Sequence, residues 1–305
     1  MIKKLTLILS LSLLIFSSSF AEGLEAVKGK ITDGYNFWLY TPPTDILDNP
    51  DEPIPLIIFL HGKSLSGHNL DKVKGYGTIS ALEKGRQIPA YIIAPQLPSG
   101  SWKPAKIMEV VDYMCQNYDI DENRISVLGM CLGGYGALDF AGTYPDRIAA
   151  VLGVSGGSTL KDLSPLAELP LWLIHGTADN SVPVAKSDRV ADAVKGFQEG
   201  DTERLAYDRL PGVNHSRTVR VFYRPETYEW LLSHSLDTAD RPISDTPEVS
   251  TEFLDTAYSG LSFSKSKKSF MPYFPFLLKM VLEGLSAMNA QNSSAVFSAS
   301  SYSDF

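Results

Sequence analysis

Short, wholly apolar runs recur along the chain, separated by stretches with helical spacing. Residues 35–40 (YNFWLY) alternate loosely and read as a strand. LIIFL (56–60) and AYIIAP (90–95) are compact apolar runs, with a short helix expected in ISALEKG (79–85) between them. Residues 103–118 carry apolar positions at helical intervals, RISVLG (124–129) reads as strand, and 132–145 as helix. Residues 149–157 and 171–183 each run from strand into loop, and 182–198 contain a helix. A last strand and loop occupy 204–215, and 225–235 form a closing helix. The strands are apolar throughout, which suits a parallel sheet buried on both faces. Their alternation with helices predicts an α/β fold, a mostly parallel central sheet with helices on both faces. A segregated α+β arrangement fits that alternation less well.

The ends depart from this rhythm. Lys3 and Lys4 precede an apolar run from Leu5 to Phe16, and Ser19 and Ala21 are the small residues a signal peptidase reads. Residues 1–21 are expected to be a signal peptide, giving a secreted or periplasmic protein with no transmembrane segment in the mature chain. Residues 22–240 form the expected α/β domain. Residues 241–305 form a C-terminal extension of unknown role, partly low-complexity, with a candidate helix at 274–288 (FPFLLKMVLEGLSAM). Its apolar part could cover the core, meet a partner or touch a membrane surface.

The chain has 305 residues, 44% of them hydrophobic, enough for one large core. A net charge of -8 argues against a general grip on nucleic acid. There are two cysteines, Cys115 and Cys131, and neither their number nor their spacing suggests a disulfide scaffold. No C-x-x-C or H-E-x-x-H spacing points to a metal, and no cofactor is expected.

The chemistry gathers around Cys131. Gly129-Met130-Cys131-Leu132-Gly133 has the pattern of a nucleophile elbow, with cysteine as the nucleophile. A sharp strand-to-helix turn leaves no room for side chains two residues either side. The alternative for the motif alone is a buried thiol at a tight turn. Downstream, Asp179 and His215 each follow an expected strand, so the order is nucleophile, acid, histidine. His215 would be the base and Asp179 would orient it. The Leu132 N–H and that of Lys63, with Ser64 as a near alternative, would face the oxyanion. Trp102, Met130 and Ser155 are candidate substrate contacts, with loop packing the competing reading for Trp102. His61 and His175 read as structural, and His68 and His234 as surface or packing residues.

The segment DENRISVLGMCLGGYGALDFAGTYPDRIAAVLGVSGG (121–157) resembles the nucleophile region of secreted α/β-hydrolases. The resemblance is to the feruloyl/acetyl xylan esterase, polyhydroxybutyrate-depolymerase-like and predicted-peptidase group. FLHGKSLSG (59–67) resembles their oxyanion loop, HGTADNSVPV (175–184) their acid loop and PGVNHS (211–216) their histidine loop. The likeness covers roughly residues 35–235. Those proteins usually carry serine at the position of Cys131. GMCLGG is itself similar to the elbow of dienelactone hydrolases, which use cysteine. The resemblance implies the α/β-hydrolase fold and a small-molecule or polysaccharide-linked ester as substrate, carbohydrate-linked or aryl. Peptidase-like and dienelactone-type activity are alternatives, as is a catalytically weak relative acting as a binding protein.

Overall fold

The computed structural model describes residues 23–197, 203–258 and 261. The expected signal peptide and the candidate helix at 274–288 lie outside the described residues. Eight strands form one sheet in the order β1-β2-β4-β3-β5-β6-β7-β8. They are β1 (Leu24–Val27), β2 (Phe37–Tyr40), β3 (Ile54–Leu60), β4 (Tyr91–Pro95), β5 (Ile120–Met130), β6 (Ala150–Val154), β7 (Leu171–Gly176) and β8 (Leu205–Leu210). The pairs β1–β2 and β2–β4 are antiparallel, and every later pair is parallel.

Successive side chains of the central strands enter opposite layers. On β3, Leu56, Ile58 and Leu60 face one core while Ile57 and Phe59 face the other. The first core is closed by α2 (Pro104–Asn117), α3 (Leu132–Thr143) and α4 (Ala185–Phe197). The second is closed by α1 (Thr78–Glu83), α6 (Pro225–Leu232) and α7 (Thr251–Asp255). Burial on both faces explains the unbroken apolar runs in the sequence.

Packing carries past residue 240, the expected end of the domain. The Ile243 N–H donates to Glu203 O at 2.8 Å, and Val249, Phe253 and Leu254 are buried against the second core. The strand-helix rhythm has stopped there, but apolar positions that cover the sheet have not.

The parallel register aligns the strand ends. Leu60 pairs with Gly129, Met130 with Val154, Val154 with Ile174, and Gly176 with Leu210. The loops after β3, β5, β7 and β8 therefore leave the sheet at one edge, where α/β sheets place their chemistry.

Candidate active site

Strand β5 ends at Met130 and helix α3 starts at Leu132, so the chain reverses through Cys131 alone. Cys131 has φ +58° and ψ -120°, a conformation that costs energy for any residue with a Cβ. The Cys131 N–H donates to Val154 O at 2.9 Å, and the Tyr135 N–H to Cys131 O at 3.1 Å. The reversal presses backbone on backbone. A Cβ on Gly133 would lie 1.9 Å from Leu60 O, and one on Gly129 would lie 2.2 Å from Gly133 O. Neither position admits a side chain without movement of the backbone.

Asp179 follows β7 and its carboxylate is fully buried. Oδ1 accepts the N–H groups of Ser181 and Val182, both at 2.8 Å. Oδ2 accepts His215 Nδ1–H at 2.6 Å and faces His175 Nε2 at 3.3 Å. His215 opens the short helix α5 (His215–Thr218), which Asn214 caps by accepting the Arg217 N–H at 3.0 Å. With Nδ1 committed to Asp179, His215 keeps its other nitrogen for Cys131, whose charge it feels. The backbone N–H groups of Leu132 and Lys63 favour the charged form of Cys131.

Burial pushes the Cys131 thiol up. The hydrogen bond and positive charge of His215, with the Leu132 and Lys63 N–H groups, outweigh that, and the net shift is downward. His215 is pushed up to about 9, first by its hydrogen bond to Cys131, against desolvation, and then by Asp179. Burial raises Asp179 too, but the Val182 N–H, His215 and the Ser181 N–H bring it below the usual carboxylate value. All three shifts favour a thiolate, an imidazolium and a carboxylate in a row.

Residues 103–226 match the model of the phospholipase/carboxylesterase family. The match is less than half of the chain; it includes Cys131, Asp179 and His215 and leaves out the oxyanion loop. Over these residues the chain is carboxylesterase-like. Comparison with curated proteins gives no match. Among solved structures, a thermostable esterase is 22% identical with TM-score 0.58, over 70% of this chain and 64% of that one. A puromycin-hydrolyzing peptidase of Mycobacterium tuberculosis is 18% identical with TM-score 0.51, over 68% of this chain and 39% of that one. This chain thus spans less than two thirds of either neighbour's length. The fold is the α/β-hydrolase fold.

Within that α/β-hydrolase framework the three expected substrate contacts, Trp102, Met130 and Ser155, are all buried. Trp102 is 5% exposed; its indole N–H donates to His61 O at 3.2 Å and its ring packs on Gly136. It anchors the start of the oxyanion loop from beneath. Met130 is 4% exposed and fills the second core. Ser155 is inaccessible, with φ +46°. Its hydroxyl donates to Thr218 Oγ1 at 2.9 Å, and the Thr218 hydroxyl donates to His215 O at 2.8 Å. Ser155 thus ties the end of β6 to the turn that carries His215. Alternation of burial along a strand is readable, but which loop residue turns inward depends on partners far away in sequence.

His61 and His175 hold loops. His61 Nδ1–H donates to Gly62 O at 2.8 Å, Nε2 accepts the Leu97 N–H at 3.1 Å, and burial pushes the ring down to about 4. His175 lies between Ser187 Oγ and Val182 O, at 2.8 and 2.9 Å. His234 is buried and His68 exposed. Both cysteines are free. Among the described residues no cluster of three or more His, Cys, Asp or Glu could hold a metal ion, and no helix is long and apolar enough to cross a membrane. A cavity of about 720 Å³ runs along β8 and residues 239–246, and Cys131, Asp179 and His215 are not among its lining residues. Its size alone gives it no chemistry.

Two tyrosines at the site have no signal in the sequence. Tyr135, on the first turn of α3, is half-buried and feels the charge of Cys131. Tyr76 accepts the Gly62 N–H in the oxyanion loop at 2.9 Å. Nothing in GYG around Tyr76 marks it, because its role comes from a contact across 14 residues.

Proposed function

We propose that the protein is an exported hydrolase of carboxylic esters that works through an acyl-cysteine intermediate. The observation that carries this reading is His215 held on buried Asp179 by a 2.6 Å hydrogen bond, at the strand edge where Cys131 turns the chain and where the Leu132 and Lys63 N–H groups favour its thiolate. The Cys131 thiolate attacks the ester carbonyl. A C–S bond forms, and the carbonyl π electrons move to oxygen, which takes the Leu132 and Lys63 N–H bonds. Collapse of that oxyanion breaks the C–O bond, and His215 gives its proton to the departing alcohol. Water then loses a proton to His215 and attacks the thioester. The carboxylic acid leaves and Cys131 regains its thiolate beside the imidazolium. Asp179 holds Nδ1–H throughout, which keeps Nε2 aimed at the chemistry.

Carbohydrate-linked or aryl esters are the proposed substrate class, and what supports it is the sequence resemblance. Half-buried Tyr135, four residues after Cys131 and within reach of its charge, is the proposed aromatic contact for such an acyl or alcohol group. Export rests on the leader-like residues 1–21, and N-terminal sequencing of the mature protein tests it.

The deciding experiment mixes the protein with an activated aryl ester and follows product release and intact mass, with C131A and C131S alongside. A stoichiometric burst and an acyl adduct on Cys131, absent in C131A, are expected. Faster turnover in C131S would mark a site shaped for serine. Absence of any adduct in both wild type and C131S, with small esters included, would overturn the hydrolase reading in favour of a binding protein.

A further inference from the structure

Tyr76 follows the 3-10 turn Leu70–Gly75 and reaches back into the oxyanion loop. Its hydroxyl oxygen accepts the Gly62 N–H at 2.9 Å, immediately before Lys63. That bond occupies a lone pair and leaves the phenolic proton free to turn toward another acceptor. The hydroxyl also borders the nucleophile. Measured from the point a Cβ of Gly62 would occupy, Tyr76 Oη is 2.6 Å away and Cys131 Cβ is 3.1 Å away. Only glycine at position 62 lets the phenol and the base of the nucleophile's side chain come this close to the same stretch of backbone. The Ser64 hydroxyl lies within hydrogen-bonding range of the same phenol, and burial raises Tyr76 so that it remains a neutral donor.

We propose that Tyr76 is a catalytic residue whose phenolic O–H is a third donor to the oxyanion, beside the N–H groups of Lys63 and Leu132. The inference rests on the ester-hydrolase reading and deepens it. As the C–S bond forms and charge moves onto the carbonyl oxygen, the phenol turns its O–H to that oxygen. It keeps its proton and turns back as the carbonyl re-forms. Ser64 is the resting partner of the hydroxyl between turnovers. The Gly62 N–H, donating to the same oxygen, makes the phenol a stronger donor.

The test measures pre-steady-state acylation by p-nitrophenyl acetate in wild type, Y76F and C131A. Iodoacetamide alkylation of Cys131 runs in parallel. Alkylation is attack of the thiolate on a saturated carbon with loss of iodide, so it needs His215 and the thiolate but forms no oxyanion. Y76F is expected to slow acylation by about a hundredfold, the loss typical of one oxyanion donor, while alkylation and its pH profile stay as in wild type. Equal acylation rates in Y76F and wild type would overturn the inference. So would a parallel fall in both reactions, which would make Tyr76 a support for the loop alone. A wild type that alkylates at Cys131 yet never acylates would instead remove the ester-hydrolase reading on which the inference rests.

Discussion

Cys131 and His215 shift each other in opposite directions, and this sets the pH behaviour. The thiol is lowered and the imidazole raised to about 9, so the charged pair spans the range between. In the proposed mechanism, acylation needs the thiolate to attack and the imidazolium to protonate the alcohol. The rate should fall on the acid side as the thiolate takes a proton, at a pH below the ordinary thiol value of about 8.5. It should fall again on the alkaline side as His215 loses its proton near about 9. Cys115 provides an internal control, because burial raises its thiol. At about pH 6, under the ordinary thiol range, iodoacetamide is expected to label Cys131 and leave Cys115 untouched, as read by peptide mass mapping. D179N should cut kcat about a hundredfold or more by freeing the His215 tautomer, with alkylation less selective for Cys131. That Cys131, Asp179 and His215 lie at one strand edge was legible in the sequence, because each follows an apolar run and Cys131 carries glycines around it. Trp102, Ser155 and Tyr76 were not, since the partners His61, Thr218 and Gly62 that decide their roles are brought to them only by the fold.

Between elements, the elbow depends on contact between β3, β5 and α3. Replacing Gly133 with alanine puts a Cβ 1.9 Å from Leu60 O, backbone that the centre of the sheet holds in place. G133A should cost about 3 kcal/mol or more and lower Tm by roughly 10 °C in a thermal melt. C131A removes only a sulfur beyond Cβ and should melt close to wild type, which separates loss of nucleophile from loss of fold. The long strands and helices were readable from apolar runs and helical spacing. Strand β1 and helix α5 were not. LEAV in β1 is mostly exposed or half-buried and exists because it pairs with β2. The four residues of α5 owe their turn to the Asn214 cap and the Thr218 link rather than to any periodicity.

Across the molecule, residues 241–258 complete the second core and reach the histidine loop. Asp255 accepts from Arg217 Nη2 at 2.7 Å and Arg220 Nη1 at 2.8 Å, close to His215. These ion pairs are exposed, so D255A alone should shift stability by less than about 1 kcal/mol. Buried Leu254 is a different case. L254A should destabilise by about 2–5 kcal/mol, and a chain ending at residue 240 should melt well below the full chain, both measurable by calorimetry. The sequence could not announce this covering, because a few apolar side chains without strand or helix rhythm look alike whether they pack or hang free.

The two cysteines sit against opposite cores, Cys115 with the layer of α2 and Cys131 with the layer of α6, and the sheet stands between them. Peroxide reaching the Cys131 thiolate would therefore form a sulfenic acid that no second thiol of the same chain can capture. A hydrolase working as proposed would be silenced one molecule at a time and revived only by a thiol supplied from outside. Without one, the sulfur would go on to the irreversible sulfinic acid, so the working lifetime of the site is set by the redox balance of its surroundings.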